Sequence, residues 1–304
     1  MNDIAHKQMV QAMLAKRFGS HHRLYCKYTA KHPLQAVREY QRITNAYLRI
    51  VNELIKDHLP EIRAAAREER EQERRRYDDA SDLIAKVAAV FNTIAAELEK
   101  RTHDFGLYDK IQNMARLTHK LSIKEWRKAV QRTLGVDLLE DCYEGEAFSV
   151  LLKQWVEDNV GLIKTLPQAT LGNMRTAVLD GYMKGRTTGT IVKLIQKQYS
   201  IGRRRAQLIA RDQIAKLNGQ IAKKQQTDAG VEEYIWSTSG DSRVRESHAK
   251  LDGKRFRWDD PPIVDEKTGR RCHPMEDYQC RCVPIPVFDR DTIDIPVAGG
   301  GEKQ

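Results

Sequence analysis

The sequence predicts a mainly α protein, in which N-terminal helices and a helical bundle precede a small α+β module stapled by a metal. Three observations carry that expectation. Through most of residues 1–230, apolar residues recur at spacings of three and four, the period of a helix with one buried face. The interruptions between these runs are short, as in helical bundles. Beyond Gly230 the texture changes. β-Branched and aromatic residues replace the helical stripe, and three of the five cysteines gather with His248 and His273 between Tyr234 and Val287.

Residues 1–59 read as helical with a break at His32-Pro33. After it, Leu34, Val37, Tyr40, Ile43, Tyr47 and Val51 form a buried stripe. His6, His21, His22, His32 and His58 make no coherent ligand set and read as surface residues. Pro60 to Asp79 is dense in charge, with six arginines and five glutamates between Glu61 and Arg76. Mixed signs at that density suit a long solvated helix with i,i+4 pairs. A DNA-contacting arm is the competing reading, and the near-cancelling signs weigh against it.

Ala80 to Glu99 is amphipathic, with Leu83, Ile84, Val87, Val90, Phe91, Ile94 and Leu98 on one face and Ser81-Asp82 as cap. A turn at Asp104-Phe-Gly106 leads to helices over Tyr108–Leu121 and Ser122–Thr133. The second opens on the capping box Ser122-x-x-Glu125, and Gly135 ends it. Cys142 stands alone and reads as a plain thiol. Phe148–Asn159 is helical, Thr165-Leu-Pro167 opens a further helix with proline in its first turn, and Thr187-Thr-Gly-Thr190 opens another. A helix from Gly202 to Ala229 completes the run, turning Ala206, Ile209, Ala210, Leu217 and Ile221 inward.

Val231–Thr238, Arg255–Trp258 and Val283–Val287 read as strands, the last confined to a sheet edge by Pro284 and Pro286. Asp259-Asp-Pro-Pro262 and Lys267-Thr-Gly269 read as loops. The chain thus divides into a helical N-terminal region (1–145), a helical bundle ending in a basic helix (146–230), a small β-containing module (231–290) and a flexible tail (291–304) whose last seven residues include three successive glycines.

The net charge of +10 and a pI near 9.3 suggest an acidic partner, for which nucleic acid is the usual candidate. Between Ile201 and Gln226 there are seven Lys/Arg against one Asp. Arg203, Arg204, Arg205, Arg211, Lys223 and Lys224 form the best phosphate-contacting set, because charges along one helix side suit a backbone read by charge. Docking on an acidic protein partner stays open beside it. No apolar run is long enough to span a membrane, and the N-terminus lacks the apolar run of a secretory signal. Reduced thiols are therefore expected, which favours thiolate ligation over disulfides.

A structural Zn²⁺ takes four sulfur or nitrogen ligands in a tetrahedron and can close a loop-rich segment with little core of its own. Cys280-Arg281-Cys282 puts two thiols on a tight turn, and His248 with either Cys272 or His273 arrives from the flanking arms. Soft-ligand preference favours Cys272. A Cys280–Cys282 disulfide would be strained, and plain buried thiols are the remaining alternative. Paired catalytic carboxylates, Gly-x-Ser-x-Gly and P-loop patterns are missing, so no catalytic residue is assigned and no enzyme is expected. The competing class is a metal-dependent nuclease using Asp241, Asp252 or Glu276 as base.

The same residues carry a resemblance. Trp236, the run Asp241-Ser-Arg243-Val-Arg245-x-x-His248, Leu251-x-Gly253, and His273-Pro274-x-Glu-Asp-Tyr-x-Cys280-Arg281-Cys282 before Pro284 resemble the signature of the phage Mu protein F-like head morphogenesis family. Ala206-x-x-Ile209-Ala210-Arg211-Asp212 with Asn218 is similar to the helix entering that signature. The resemblance covers about Leu151 to Val287, and Met275 departs from it where a glycine is expected after His-Pro. It implies a structural minor head protein of a tailed phage, acting in procapsid assembly with portal and capsid proteins. Contact with double-stranded DNA is also implied. The implied location is the virion head, reached by way of the host cytoplasm during assembly.

Overall fold

The computed structural model describes residues 3–65, 80–140 and 142–297. Most of the charged Pro60–Asp79 stretch, the side chains of residues 80–83 (the Ser81-Asp82 cap and Leu83 among them) and the last seven residues lie outside that description. Helices α1 (Asp3–Phe18), α2 (Leu34–Asp57), α3 (Ala80–His103), α4 (Leu107–Leu134), α5 (Glu146–Met183) and α6 (Thr188–Asp228) precede the short α7 (Glu246–Ala249). The strands are β1 (Arg23–Tyr25), β2 (Glu233–Ser237), β3 (Arg255–Arg257), β4 (Ile263–Asp265), β5 (Arg270–Arg271) and β6 (Val283–Asp289). No helix among the described residues is long and apolar enough to cross a membrane.

Three expected helix boundaries are absent. α4 runs through Ser122, whose buried hydroxyl meets Gln225 Oε1 at 3.3 Å instead of capping a new start. α5 runs through Pro167, with Ile163 and Leu166 buried beside the proline. Their burial offsets the one backbone hydrogen bond that proline removes. α6 runs through Gly202, where a Cβ would lie 2.7 Å from Thr170 Oγ1. That glycine allows two helices to approach and does not separate them. The start of α6 is as expected, with Thr190 N–H donating to Thr187 Oγ1 at 3.3 Å.

The chain forms two compact units, each assembled from separate stretches that cut across the linear division at 145 and 230. The second unit, Arg38–Met114 with Val156–Ala210, is helical. Its core joins Val51, Leu54 and Ile55 to Val87, Phe91, Ile94 and Leu98, and these to Leu171, Met174, Val178, Ile191 and Ile195. Val90 packs at its margin, whereas Ile84 of the expected stripe is exposed.

The first unit, Met1–Val37, Ala115–Trp155 and Arg211–Gln304, holds the sheet in the order β1-β6-β2-β3, all pairs antiparallel. β1 lies in the stretch expected to be helical; three residues give a sequence reading too little period to detect. β6 is internal, not an edge. Only Val287–Asp289 pair with β1, however, so Pro284 and Pro286 occupy the part of β6 that has β2 as its sole partner. The proline rule thus holds along half a strand. β4 and β5 form a small hairpin around the Lys267-Thr-Gly269 turn.

The expected tail is part of this unit's core through residue 297. Ile293, Ile295 and Val297 are buried with Val10, Leu14, Trp126, Leu134 and Phe288. Gly230 ends α6 at a φ of +72° under Thr292, whose carbonyl oxygen would lie 2.1 Å from any added Cβ. Asp294 N–H then donates to Ala229 O at 2.9 Å.

Candidate metal centre

The module after α6 builds its site from alternation and tight turns. β2 alternates, so Tyr234 and Trp236 are buried on one face, where Trp258, Val264, Cys272, Cys280 and Cys282 join them. α7 carries His248 into this cluster, 2% exposed. The chain returns from α7 through Gly253, whose φ of +72° falls in the left-handed region that glycine enters freely. Gly253 N–H donates to Trp236 O, and Trp236 N–H to Lys254 O, both at 2.8 Å. This explains the spacing of Trp236, Gly253 and β3.

His248 Nδ1 lies 3.7 Å from Cys280 Sγ and 3.5 Å from Cys282 Sγ. The three candidate ligand atoms lie within 4.8 Å of one another. On the other side of the ring, His248 Nε2 lies 3.1 Å from Asp277 Oδ2. With Asp277 as acceptor for the Nε2 proton, Nδ1 is the nitrogen that a metal at the thiols would take, the arrangement that prepares an imidazole for a metal. Asp277 is itself held by Arg270, at 2.5 Å, and by Arg245, at 3.6 Å. Burial opposes its ionisation, yet the Tyr278 N–H and these two guanidinium groups hold the carboxyl below its usual range.

The two thiols divide their roles. The hydrogen bond from Cys282 comes first among the groups that outweigh burial at Cys280, His248 next, and the Cys280 thiol falls well below its usual range. Cys282, bonded to that thiolate and buried beside it, is pushed up. His248 is raised by its bond to Cys280, against burial, with help from Asp277. No disulfide is formed. Two sulfurs and one imidazole nitrogen are a donor set that fits Zn²⁺.

The expected fourth ligand is not among these atoms. Cys272 is buried in the aromatic cluster but outside the ligand group, and burial together with Asp277 and Glu276 pushes its thiol up to about 12. His273 hydrogen-bonds Tyr234 Oη through Nδ1 at 2.9 Å and stands 4.8 Å, ring to ring, from Trp258; burial lowers its pKa. Adjacent residues on an extended segment project apart, and here neither joins the His248 group.

The signature residues brace the site. Both terminal guanidinium nitrogens of Arg281, the residue between the two cysteines, donate to Asp241 at 2.5 and 2.6 Å, and Arg243 donates to the same carboxylate at 3.0 Å. Arg281 and then Arg243 hold the Asp241 carboxyl far below the usual range. Arg245 donates to Tyr278 O. Met275 has a φ of +71°, the left-handed conformation that a glycine after His-Pro would adopt without strain. Its buried side chain packs over Gly219 and accepts from Asn218 Nδ2 at Sδ, 3.3 Å away.

The roles of two contributors escaped the sequence reading. Asp277 stands in the signature three residues before Cys280 with no role assigned to it, and its distance from His248 along the chain hides the pairing. His32 reads as a surface residue, yet its Nε2 meets Arg281 O at 2.7 Å.

The expected phosphate set is split. Arg203, Arg204 and Arg205 belong to the second unit, exposed and without an ion pair among the described residues. Arg211, in the first unit, is likewise exposed. Lys224 pairs with Asp228 at 3.0 Å and lies over Phe148, while Lys223 lies over the Trp258 ring.

Fold and site together define a helical protein that ends in a compact β module built around a buried His/Cys/Cys cluster. Residues 172–285 match the family described as phage Mu protein F like protein. The match starts later than the Leu151 boundary of the resemblance. An uncharacterized protein of Haemophilus influenzae is 35% identical over 173 residues, covering 56% of this chain and 37% of that protein. The minor head protein GP7 of Bacillus phage SPP1 is 27% identical over 154 residues, covering 46% of this chain and 50% of its own. The chain thus spans half or less of the length of these relatives. No solved structure matches it.

Proposed function

We propose that this chain is a structural minor head protein of a tailed phage, which acts in head assembly at or near the portal and belongs to the virion head. The observation that carries the reading is the family match over 172–285, the stretch that contains His248, Cys280 and Cys282. In this reading the protein is not an enzyme. Its partners are portal and capsid proteins, met in the host cytoplasm during assembly. Zn²⁺ held by His248, Cys280 and Cys282 would cross-link α7 to the Cys-Arg-Cys turn. The chain's own residues prepare that site: Asp277 sets the imidazole proton, and Asp241 with Arg281 fixes the turn. Arg203, Arg204, Arg205 and Arg211 are the cations available to packaged DNA, with Lys223 and Lys224 already engaged within the fold.

A second reading, a metal-dependent nuclease, rests on one feature: three protein ligands leave a fourth position, as catalytic zinc sites do. Metal analysis and a cleavage assay on wild type and His248→Ala separate the two. The structural reading expects about one equivalent of zinc, no cleavage, and a variant that loses both metal and local order. Metal-dependent cleavage abolished in a variant that still folds would make this an enzyme. For the head role, mass spectrometry of purified phage heads is the test, and absence of the chain from them would remove the assignment.

A further inference from the structure

Outside the Cys/His site, the first unit has an open groove of about 1150 Å³ between α4 and the start of α5. One wall carries Arg116, Lys120 and Lys124, spaced four apart and therefore aligned on one helix face. All three are exposed, and none has an ion-pair or hydrogen-bond partner among the described residues. Other cations on the same helix are already satisfied: Lys128 pairs with Glu125 at 2.6 Å, and Arg127 donates to the Leu139 and Glu140 carbonyls. The unpaired three form a row about 12 Å long at about 1.5 Å per residue.

The rest of the groove argues against a phosphate backbone. Its far side carries Asp137, Glu140 and Glu144, all exposed, which would repel a continuous polyanion. Phe148, itself buried, floors the groove, and the half-buried Leu152 adds apolar surface between the two walls. His119 stacks on Phe148 with ring centroids 5.1 Å apart, and its Nε2 is buried with no hydrogen-bond partner among the described residues. Burial lowers the His119 pKa.

We propose that this groove is a docking site for an amphipathic helix of another protein, one that carries carboxylates at every fourth position along its edge. A helix laid beside α4 repeats with the same period, so its acids meet Arg116, Lys120 and Lys124 in turn while its apolar stripe covers Leu152 above the Phe148 floor. This goes beyond the head-protein reading, since it concerns partner chemistry and does not depend on the metal or on DNA.

The probe is a fluorescent helical Leu/Glu peptide of about three turns, with glutamate at every fourth position, beside a scrambled peptide of equal composition and a DNA duplex. The full-length protein should bind the patterned peptide at least about tenfold more tightly than the scrambled one, and the triple variant R116E/K120E/K124E should lose that preference. Ser149→Trp, which fills the groove without altering charge, should weaken binding similarly. The equal charge change R203E/R204E/R205E should leave it intact. Circular dichroism would check that each variant folds. Undiminished binding in Ser149→Trp would reduce the cations to a general basic patch and overturn the groove. A triple variant that loses duplex binding, in a protein that never distinguishes the two peptides, would make this a nucleic-acid face and overturn the proposal.

Discussion

The helical second unit and the module after α6 are stabilised by different physics. The helical unit buries a continuous set of aliphatic side chains, from Val51 and Leu54 through Phe91, Ile94 and Leu98 to Met174 and Val178. Such a core loses stability in proportion to removed volume and needs no metal. In the module, a small aromatic cluster surrounds two thiols, an imidazole and a buried carboxylate, with strands as short as two or three residues. Its order rests on donor–acceptor geometry, and geometry fails all at once when one member is withdrawn. The contrast teaches that one chain can contain a region tolerant of single atoms and a region that is not.

The largest expected effect comes from withdrawing a ligand. Cys280→Ser, or a strong chelator on wild type, should release about one zinc and expose the amides of residues 231–289 to hydrogen exchange, with residues 87–98 still protected. Cys142→Ser, in an ordinary apolar core, should release none. Equal exchange in both units after chelation would erase the distinction.

Leu98→Ala should destabilise the helical unit by about 2–5 kcal/mol, because Leu98 is 2% exposed and its methyl groups leave a void. Zinc content should not change. If metal is lost with Leu98, the comparison is wrong in its main point.

Asp277→Asn keeps the shape and removes the charge behind His248. Metal affinity should fall by about 10–100-fold, measured by competition with a chromophoric chelator. An affinity unchanged within error would mean that Asp277 serves only the Arg270 and Arg245 pairs.

The smallest effect concerns pH. His58 in the helical unit bridges Glu61, at 2.8 Å, and Glu97, at 3.1 Å, and its pKa is raised, first by the Glu61 bond against burial. A raised folded-state pKa stabilises fully below the unfolded value of about 6.5 and loses that contribution as pH climbs through the folded one. His58→Gln should therefore lower Tm by a few degrees at pH below the unfolded value and by less once pH has passed the raised folded-state value. A shift independent of pH would assign His58 a purely packing role.

Much of this molecule is legible in the chain itself, and the illegible parts have common causes. Helical stripes at Tyr40, Ile43, Tyr47 and Val51, or at Val87, Phe91, Ile94 and Leu98, are visible because burial of one face imposes a period. Helix ends misread at Ser122, Pro167 and Gly202 share one reason. Local cap, proline and glycine signals are each worth only about 1–3 kcal/mol, and packing on both sides of the signal outweighs them. The 291–297 segment looks like a tail because Ile293, Ile295 and Val297 alternate briefly, and only contact with Val10, Leu14 and Phe288 makes that alternation a buried strip.

At the candidate centre the chain alone brings out the scarce residues, His248, Cys280 and Cys282, because crowded thiols and imidazoles are conspicuous by composition. It also exposes Met275 as out of pattern, and the positive φ there explains why glycine is the expected residue. Which neighbours complete the site was decided by tertiary structure. Asp277, in the signature without a role, and His32, ordinary in sequence, become specific only when the fold brings one behind His248 and the other against Arg281 O. Cys272 and His273 satisfy every compositional test for a ligand, yet the direction of two adjacent side chains is set by the surrounding packing, here the Tyr234 and Trp258 rings. Composition and period determine which residues are buried and which chemistry is available. Distances and directions between residues far apart in sequence depend on the packed fold, because no local interaction encodes them.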